Sequence, residues 1–384
     1  MKRIPYGKQH IDSRDKNFVL NSLSNNLITT GPIVEKFENK LEKYLNCKFA
    51  YTCNSGTSAL HLAMLSINLK KNDVVLMPAV NFIASYNIAK NMQLKVYLVD
   101  VDEYTGQITP DTVNECIKRN KLKKIKALVV MYHGGFPENV KNFYDLKKKF
   151  NFKIIEDACH ALGSEYEYKN KFYKIGSCKH ADISTFSFHP LKTITSGEGG
   201  LITTNSGKIA KNIKLYRSHG IIRNNKNYWK YDVIKNGFNY RLSDINCALG
   251  LSQLSKISSF LKNRRKIYNK YYVDLGKLNL RLILPKYSQK IKPSFHLCLL
   301  NIAFKKIKKN KNHFMKYLIK HNIFAQQHYI PIYKFKIFKE TKNYFSGSEN
   351  FYNNSVSIPI YVSLSISDQN RIINVLKNYF KMDR

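Results

Sequence analysis

The sequence predicts an α/β protein with two parts: a large domain on a mainly parallel seven-stranded sheet at about residues 1–250, and a smaller α+β domain at 251–384. Three observations carry this. Short, nearly continuous runs of Val, Ile, Leu and Phe recur through the first two hundred residues, as strands covered on both faces require. Helix-period segments lie between several of them, the alternation of a parallel sheet. Near residue 242 that texture stops and amphipathic helix takes over.

The strand-like runs are FAYTCN (49–54), DVVLMPA (73–79), KVYLVDV (95–101), KALVVMYH (126–133), KIIEDA (153–158), ADISTFSF (181–188) and GLITTN (200–205). TSALHLAMLSI (57–67) places its apolar residues at helical period, as do PDTVNECIKRN, opened by Pro110, and VKNFYDLKKKF. One long helix is expected from residue 242 onward. Strand-like FHLCLLNIAF and FAQQHYIPIY follow, and SDQNRIINVLKNYF reads as a closing helix.

Composition narrows the function. With 43% hydrophobic and 13% aromatic residues the chain can build a core and is not a disordered segment. No stretch approaches the ~20 apolar residues that cross a bilayer, and the start lacks the apolar run of a signal peptide. Seven scattered cysteines without a C-x-x-C suggest neither a disulfide framework nor a zinc site. A reducing cytoplasm is the expected location. The net charge of +38 would suit a polyanion partner, but it is carried by 53 Lys and only 11 Arg, whereas base and phosphate forks are read mainly by Arg. Residues 251–384 hold 26 Lys and Arg against 5 Asp and Glu. A solvated Lys-rich surface accounts for this, and weak attraction for an anionic small substrate comes next. Neither nucleic acid nor membrane is the expected partner.

Three segments carry chemistry. Asn54-Ser55-Gly56-Thr57-Ser58 ends a strand and opens a helix, where backbone N–H groups can hold a phosphate. It reads equally as an ordinary turn with a serine cap. Glu156-Asp157-Ala158-Cys159-His160 ends another strand, on the sheet edge where open α/β folds bind ligands. An acid there can pair with a cationic ring nitrogen or merely cap the next turn. Lys192 follows the apolar strand TFSF and precedes a glycine turn; among apolar groups a lysine becomes a nucleophilic amine. Taken together, a phosphate grip, a strand-end acid and a strand-end lysine are what pyridoxal phosphate needs.

The stretches NSGTSALHLA, EDACHALGSEY, TFSFHPLKTITSGEGG, RSHGI, GFNYRLSDINCALGLSQL and HYIPIY resemble the DegT/DnrJ/EryC1/StrS family of sugar-nucleotide aminotransferases, in that family's order and over about residues 5–376. The resemblance implies a pyridoxal-phosphate-dependent aminotransferase of fold type I. Lys192 would hold the cofactor and move a proton, and Asp157 would pair with its ring nitrogen. Gly56, Thr57 and Ser187 would grip the phosphate and Phe82 would stack on the ring, though Phe82 also reads as a core aromatic. His160 would lie near the cofactor's phenolic oxygen. Asn239 would reach the partner's cofactor phosphate across a homodimer. Tyr6, Asn26, Leu27, Ile28 and Thr29 match sugar-nucleotide contacts, as do Gln326, Gln327, His328 and Tyr329. Arg241 stays open between a substrate contact and a structural ion pair. Within the family, IPYGKQHID and FAQQHYIPIY are most similar to the branch that makes pseudaminic acid. That branch implies a UDP-linked 4-keto-6-deoxy-N-acetyl-hexosamine as acceptor and L-glutamate as donor. A bacillosamine- or perosamine-type keto sugar is the alternative, and a non-catalytic basic binding protein a distant one.

Overall fold

The computed structural model describes residues 2–224, 226–227, 229–276, 282–283, 287–307, 309–338 and 345–381. All seven expected strands form one sheet: β1 (Phe49–Cys53), β2 (Val74–Pro78), β3 (Lys95–Val99), β4 (Ala127–Met131), β5 (Lys153–Asp157), β6 (Ile183–Ser187) and β7 (Gly200–Thr204). Their order is β1-β7-β6-β5-β4-β2-β3. Strands β3, β2, β4, β5 and β6 pair in parallel; β7 runs against both β6 and β1, so it alone is reversed.

Alternation along each strand divides the core. Val75, Met77, Val129, Ile155, Ile183 and Ile202 face one side, with α3 (Gly56–Ser66), α4 (Ala84–Asn91) and α7 (Gly207–Arg217). Leu76, Leu128, Val130, Ile154, Phe186 and Leu201 face the other, with α2 (Pro32–Leu45), α5 (Pro110–Arg119) and α6 (Val140–Phe150). Successive side chains of a strand point to opposite faces, so nearly unbroken apolar strands fill both sides at once. Each helix begins where its sequence permits. Pro32 and Pro110 stand in first turns, where their missing N–H costs nothing, and Thr109 and Thr112 form a capping box.

The long helix expected from residue 242 is two helices, α8 (Asp244–Ser255) and α9 (Ile257–Gly276), broken at Lys256. The Lys256 ammonium turns in to Asp12 at 2.8 Å and Asp15 at 2.6 Å, beside α1 (Ser13–Leu23). Beyond α9, β8 (Cys298–Ile302) pairs antiparallel with β9 (Ser355–Ile358) and with residues 282–283, and the unit also holds α10 (Lys311–Lys320), α11 (Ser346–Asn354) and α12 (Ile366–Lys381). FAQQHYIPIY makes no strand. It touches the sheet through a single bridge, Gln326 to Ser357, because its residues turn in toward the large sheet instead. The N-terminal residues run with this second unit: Ile4 pairs with Ile323, and the Tyr6 carbonyl accepts from Ile360 N–H at 3.1 Å. Residue 250 lies inside α8. We propose the division into two units at the α8–α9 junction.

Candidate active site

The carboxyl ends of β1, β5 and β6 open into a cavity of about 500 Å³. Tyr6, Gly56, Thr57, Phe82, Asp157, His160, Ser187, Lys192, Gln326, Gln327, His328 and Tyr329 all line it. Segments far apart in the chain therefore meet at one sheet edge, the place an open α/β fold offers a ligand.

At its floor, β1 leads into α3 through Ser55, whose side chain accepts from Ser58 N–H at 3.1 Å. The N–H groups of Gly56 and Thr57 lie in the first turn, where no intrahelical acceptor exists, and they carry the positive end of the helix dipole. A Cβ on Gly56 would stand 2.9 Å from the Ser187 Cβ. Only glycine lets the end of β6 close on the start of α3, which makes a narrow concavity of backbone donors and one hydroxyl.

Asp157 is the last residue of β5 and is buried. It accepts from Asn81 Nδ2 at 3.2 Å and from Cys159 N–H at 3.4 Å, so its orientation is fixed. Its neighbour Glu156 points to the opposite face, where Tyr132 donates to it at 2.8 Å and Ser184 also donates. Burial pushes the Glu156 pKa up. The two adjacent acids thus separate by strand alternation: Glu156 is structural and Asp157 faces the cavity. Lys192 follows β6 through a turn closed by its own N–H on the His189 carbonyl at 2.9 Å. Burial lowers its pKa, while Cys159 and Asp157 nearby pull it back up. Burial thus makes its proton easier to lose than that of an exposed lysine.

Phe82 is 55% exposed, an unusual cost for an apolar ring, and its exposed face lines the cavity. It is not the core aromatic it could have been. Around the opposite wall stand buried histidines. His160 is hydrogen-bonded through Nε2 to the Tyr329 hydroxyl at 2.9 Å. His296 packs on it with ring centres 4.2 Å apart. Burial lowers the pKa of both, with Lys192 as the next cause, so both imidazoles are neutral. Gln327 is held between Lys311 Nζ at 2.5 Å and Ser355 Oγ at 3.3 Å, and His328 bonds Ser357 Oγ at 2.8 Å.

Asn239 and the segment Asn26 to Thr29 lie outside this cavity. Asn239 is exposed, and its carbonyl accepts from Asn54 Nδ2 at 3.4 Å. Leu27 and Ile28 are exposed beside the start of α8, where the Ile28 carbonyl accepts from Asp244 N–H at 3.0 Å. Arg241 also stands outside. Asn81 and His296 escaped the sequence reading, and Cys159 entered it only as part of the segment that ends β5. Asn81 directly precedes Phe82 in the sequence, but nothing local marks it as a support for Asp157, 76 residues away.

A family model described as the DegT/DnrJ/EryC1/StrS aminotransferase family matches residues 9–377. A UDP-4-amino-4,6-dideoxy-N-acetyl-beta-L-altrosamine transaminase of Campylobacter jejuni is 35% identical over 95% of this chain and 94% of its own. A GDP-perosamine synthase of Escherichia coli is 31% identical over 95% of each. Among solved structures, the Helicobacter pylori aminotransferase PseC, involved in the biosynthesis of pseudaminic acid, superposes with a TM-score of 0.91. It is 28% identical and is covered over 100% of its length by 99% of this chain.

Proposed function

The chain belongs to the DegT/DnrJ/EryC1/StrS aminotransferase family, and from that premise we propose its reaction. It moves an amino group from L-glutamate to C4 of UDP-2-acetamido-2,6-dideoxy-β-L-arabino-hex-4-ulose, giving UDP-4-amino-4,6-dideoxy-N-acetyl-β-L-altrosamine. The class of reaction, pyridoxal-phosphate-dependent amino transfer to a nucleotide sugar, follows from the family. The acceptor is supported by the altrosamine transaminases at 32–35% identity. Glutamate as donor, a homodimer and a cytoplasmic location are the remaining parts of the proposal.

The observation that carries the reading is the meeting of Lys192, Asp157 and the Gly56 concavity in one cavity. These residues fit pyridoxal phosphate. The concavity that a Cβ would fill at 2.9 Å suits the phosphate, the fixed Asp157 carboxylate suits a ring nitrogen, and the exposed Phe82 face suits an aromatic ring. When bound, the cofactor supplies an aldehyde to take up the amino group and a ring that withdraws electrons from the carbon losing its proton. The chain does the rest. Gly56 and Thr57 N–H groups and the Ser187 hydroxyl hold the phosphate. Asp157, steadied by Asn81, keeps the ring nitrogen protonated, and Phe82 covers the ring and excludes water. Lys192, its pKa lowered by burial, would carry a proton from one carbon to another within each half of the cycle, taking it from the donor side in the first and delivering it to the sugar carbon in the second. Gln326, Gln327, His328 and Tyr329, with Tyr6, form the wall that orients the sugar nucleotide.

The test is an absorption spectrum in three steps: protein with pyridoxal phosphate, then L-glutamate, then the UDP-4-keto sugar. The long-wavelength band should form, bleach with glutamate and return with the sugar. Lys192→Ala should stop the cycle, a loss of at least about 10²–10⁴-fold for a missing proton-transfer group. A band that bleaches but is not restored by the UDP sugar would refute this acceptor. Restoration by a GDP-linked keto sugar instead would favour the second reading, which the 31% identity to the perosamine synthase supports.

A further inference from the structure

We propose that His160 is a positioning residue that turns the Tyr329 hydroxyl into a hydrogen-bond donor aimed at an oxygen in the cavity. The argument is one of proton count. Gly134 N–H, a group that can only donate, points at His160 Nδ1 at 3.4 Å. That nitrogen must therefore present its lone pair. A neutral imidazole then carries its proton on Nε2, and Nε2 lies 2.9 Å from the Tyr329 oxygen. His160 donates, Tyr329 accepts, and the hydroxyl hydrogen of Tyr329 is left to point elsewhere. Tyr329 lines the cavity, and its hydroxyl makes no other hydrogen bond among the described residues.

The backbone that fixes this direction is itself fixed. Gly134 and Gly135 both adopt positive φ, 67° and 88°. A Cβ on Gly135 would meet Ser294 Oγ at 2.0 Å and the His160 carbonyl at 2.6 Å. The Gly134 carbonyl accepts from His296 N–H at 2.9 Å, and Ser294 Oγ donates to the His160 carbonyl at 2.7 Å. The two-glycine turn after β4 thus clamps both the His160 ring and the segment that carries His296. Burial and Lys192 keep His160 neutral, consistent with a single ring proton.

The acceptor is an oxygen on an sp² carbon, and two sources share that chemistry: the phenolic oxygen of the cofactor and the carbonyl oxygen of the substrate. The choice rests on the aminotransferase reading; the tautomer does not. Nitrogen-15 spectra of histidine-labelled protein, with His160 assigned by the signal lost in H160Q, should show the proton on Nε2. A proton on Nδ1 overturns the proposal, whatever ligand the cavity takes. Two substitutions divide the ring's roles. H160Q keeps a donor at the Nε2 position and should stay within about threefold of the parent; H160N keeps only the Nδ1 position and should lose about tenfold, the effect of one hydrogen bond.

Y329F should match H160N, and H160N added to Y329F should cost nothing further. Further loss in that double variant would mean His160 acts on the ligand itself, which overturns a positioning role. If Y329F shifts the absorption maximum of protein with pyridoxal phosphate alone, the acceptor is the cofactor. If it leaves that maximum in place and raises KM or lowers kcat for the keto sugar, the acceptor is the substrate. If it changes none of these, Tyr329 donates to neither and the proposal fails. Absence of any band in the parent protein would instead remove the aminotransferase reading and leave the tautomer result standing.

Discussion

His133 is buried against Tyr329, with ring centres 5.9 Å apart, and neither of its ring nitrogens has a hydrogen-bond partner among the described residues. Burial holds its pKa near 4, against about 6.5 in an unfolded chain. Between those values the unfolded state binds the extra proton, so folding stability falls as pH drops through that window. Acidifying from pH 7 to pH 5 should cost roughly 2 kcal/mol from this residue, read as a lower urea midpoint. H133F, which fills the same space without a titrating group, should flatten the pH dependence; an unchanged slope would mean His133 does not titrate in this range. His328 is depressed further, to about 3, and adds to the loss in the same direction. A second single residue acts in the opposite pH direction. Lys311, half-buried over the Tyr352 ring at 4.1 Å, grips Gln327 and has its pKa lowered to about 8 by burial and by Lys334. Its charge is therefore lost as pH rises through 8. KM for the nucleotide sugar should climb above that pH with kcat nearly constant, and K311M should show the raised KM already at pH 7, by about tenfold for one charged hydrogen bond.

Helix α3 shows how an element makes a site that no single residue makes. Its first turn owns the free N–H groups, but their use depends on β6 arriving close enough to add Ser187, and Gly56 permits that approach. G56A should weaken pyridoxal phosphate binding about tenfold or more in an absorbance titration, as overpacking by one methyl against the Ser187 and Cys159 side chains predicts. Removing the obstructing side chain as well, in G56A/S187G, should recover part of the affinity; equal binding by G56A and parent would detach the phosphate from this helix. The start of α3, the end of β5 and the turn at Lys192 were legible in the sequence. Each is a short local pattern at a strand end, and buried parallel strands announce themselves by continuous apolar runs. What could not be read was settled by partners distant in sequence. Lys256 at the α8–α9 junction pairs with Asp12 and Asp15, the hairpin formed by Glu165–Tyr168 and Lys171–Lys174 borrows a third strand from Ile291–Lys292, and His296 meets His160 beside the glycine turn after β4. FAQQHYIPIY has the composition of a strand, yet its consecutive residues Gln326 to Tyr329 line the cavity rather than extend a ladder.

At the scale of the whole molecule, the residues left outside the cavity gather on one story. Asn239 and the segment Asn26 to Thr29, which the family resemblance ties to cofactor phosphate and sugar nucleotide, are exposed. Leu20, Leu23 and Leu27 are more than half exposed along α1 and the turn after it. We propose that a second copy of the chain covers this exposed apolar stripe. If two copies lend Asn239 to each other, light scattering should give twice 44.7 kDa at assay concentration. A charge placed in the stripe, L23D, should both shift the mass toward the monomer and lower activity. The sharper test mixes two defective proteins. K192A destroys the proton carrier of its own cavity, and N239A would weaken the neighbouring one. Each homodimer then carries two impaired sites. After unfolding and refolding together, a mixed dimer places the intact Lys192 of one chain opposite the intact Asn239 of the other, and one site per dimer is whole. Activity above the sum of the two separate proteins is the expected result. Activity no higher than that sum, in a sample shown to contain mixed dimers, would mean that each chain completes its cavity from its own residues.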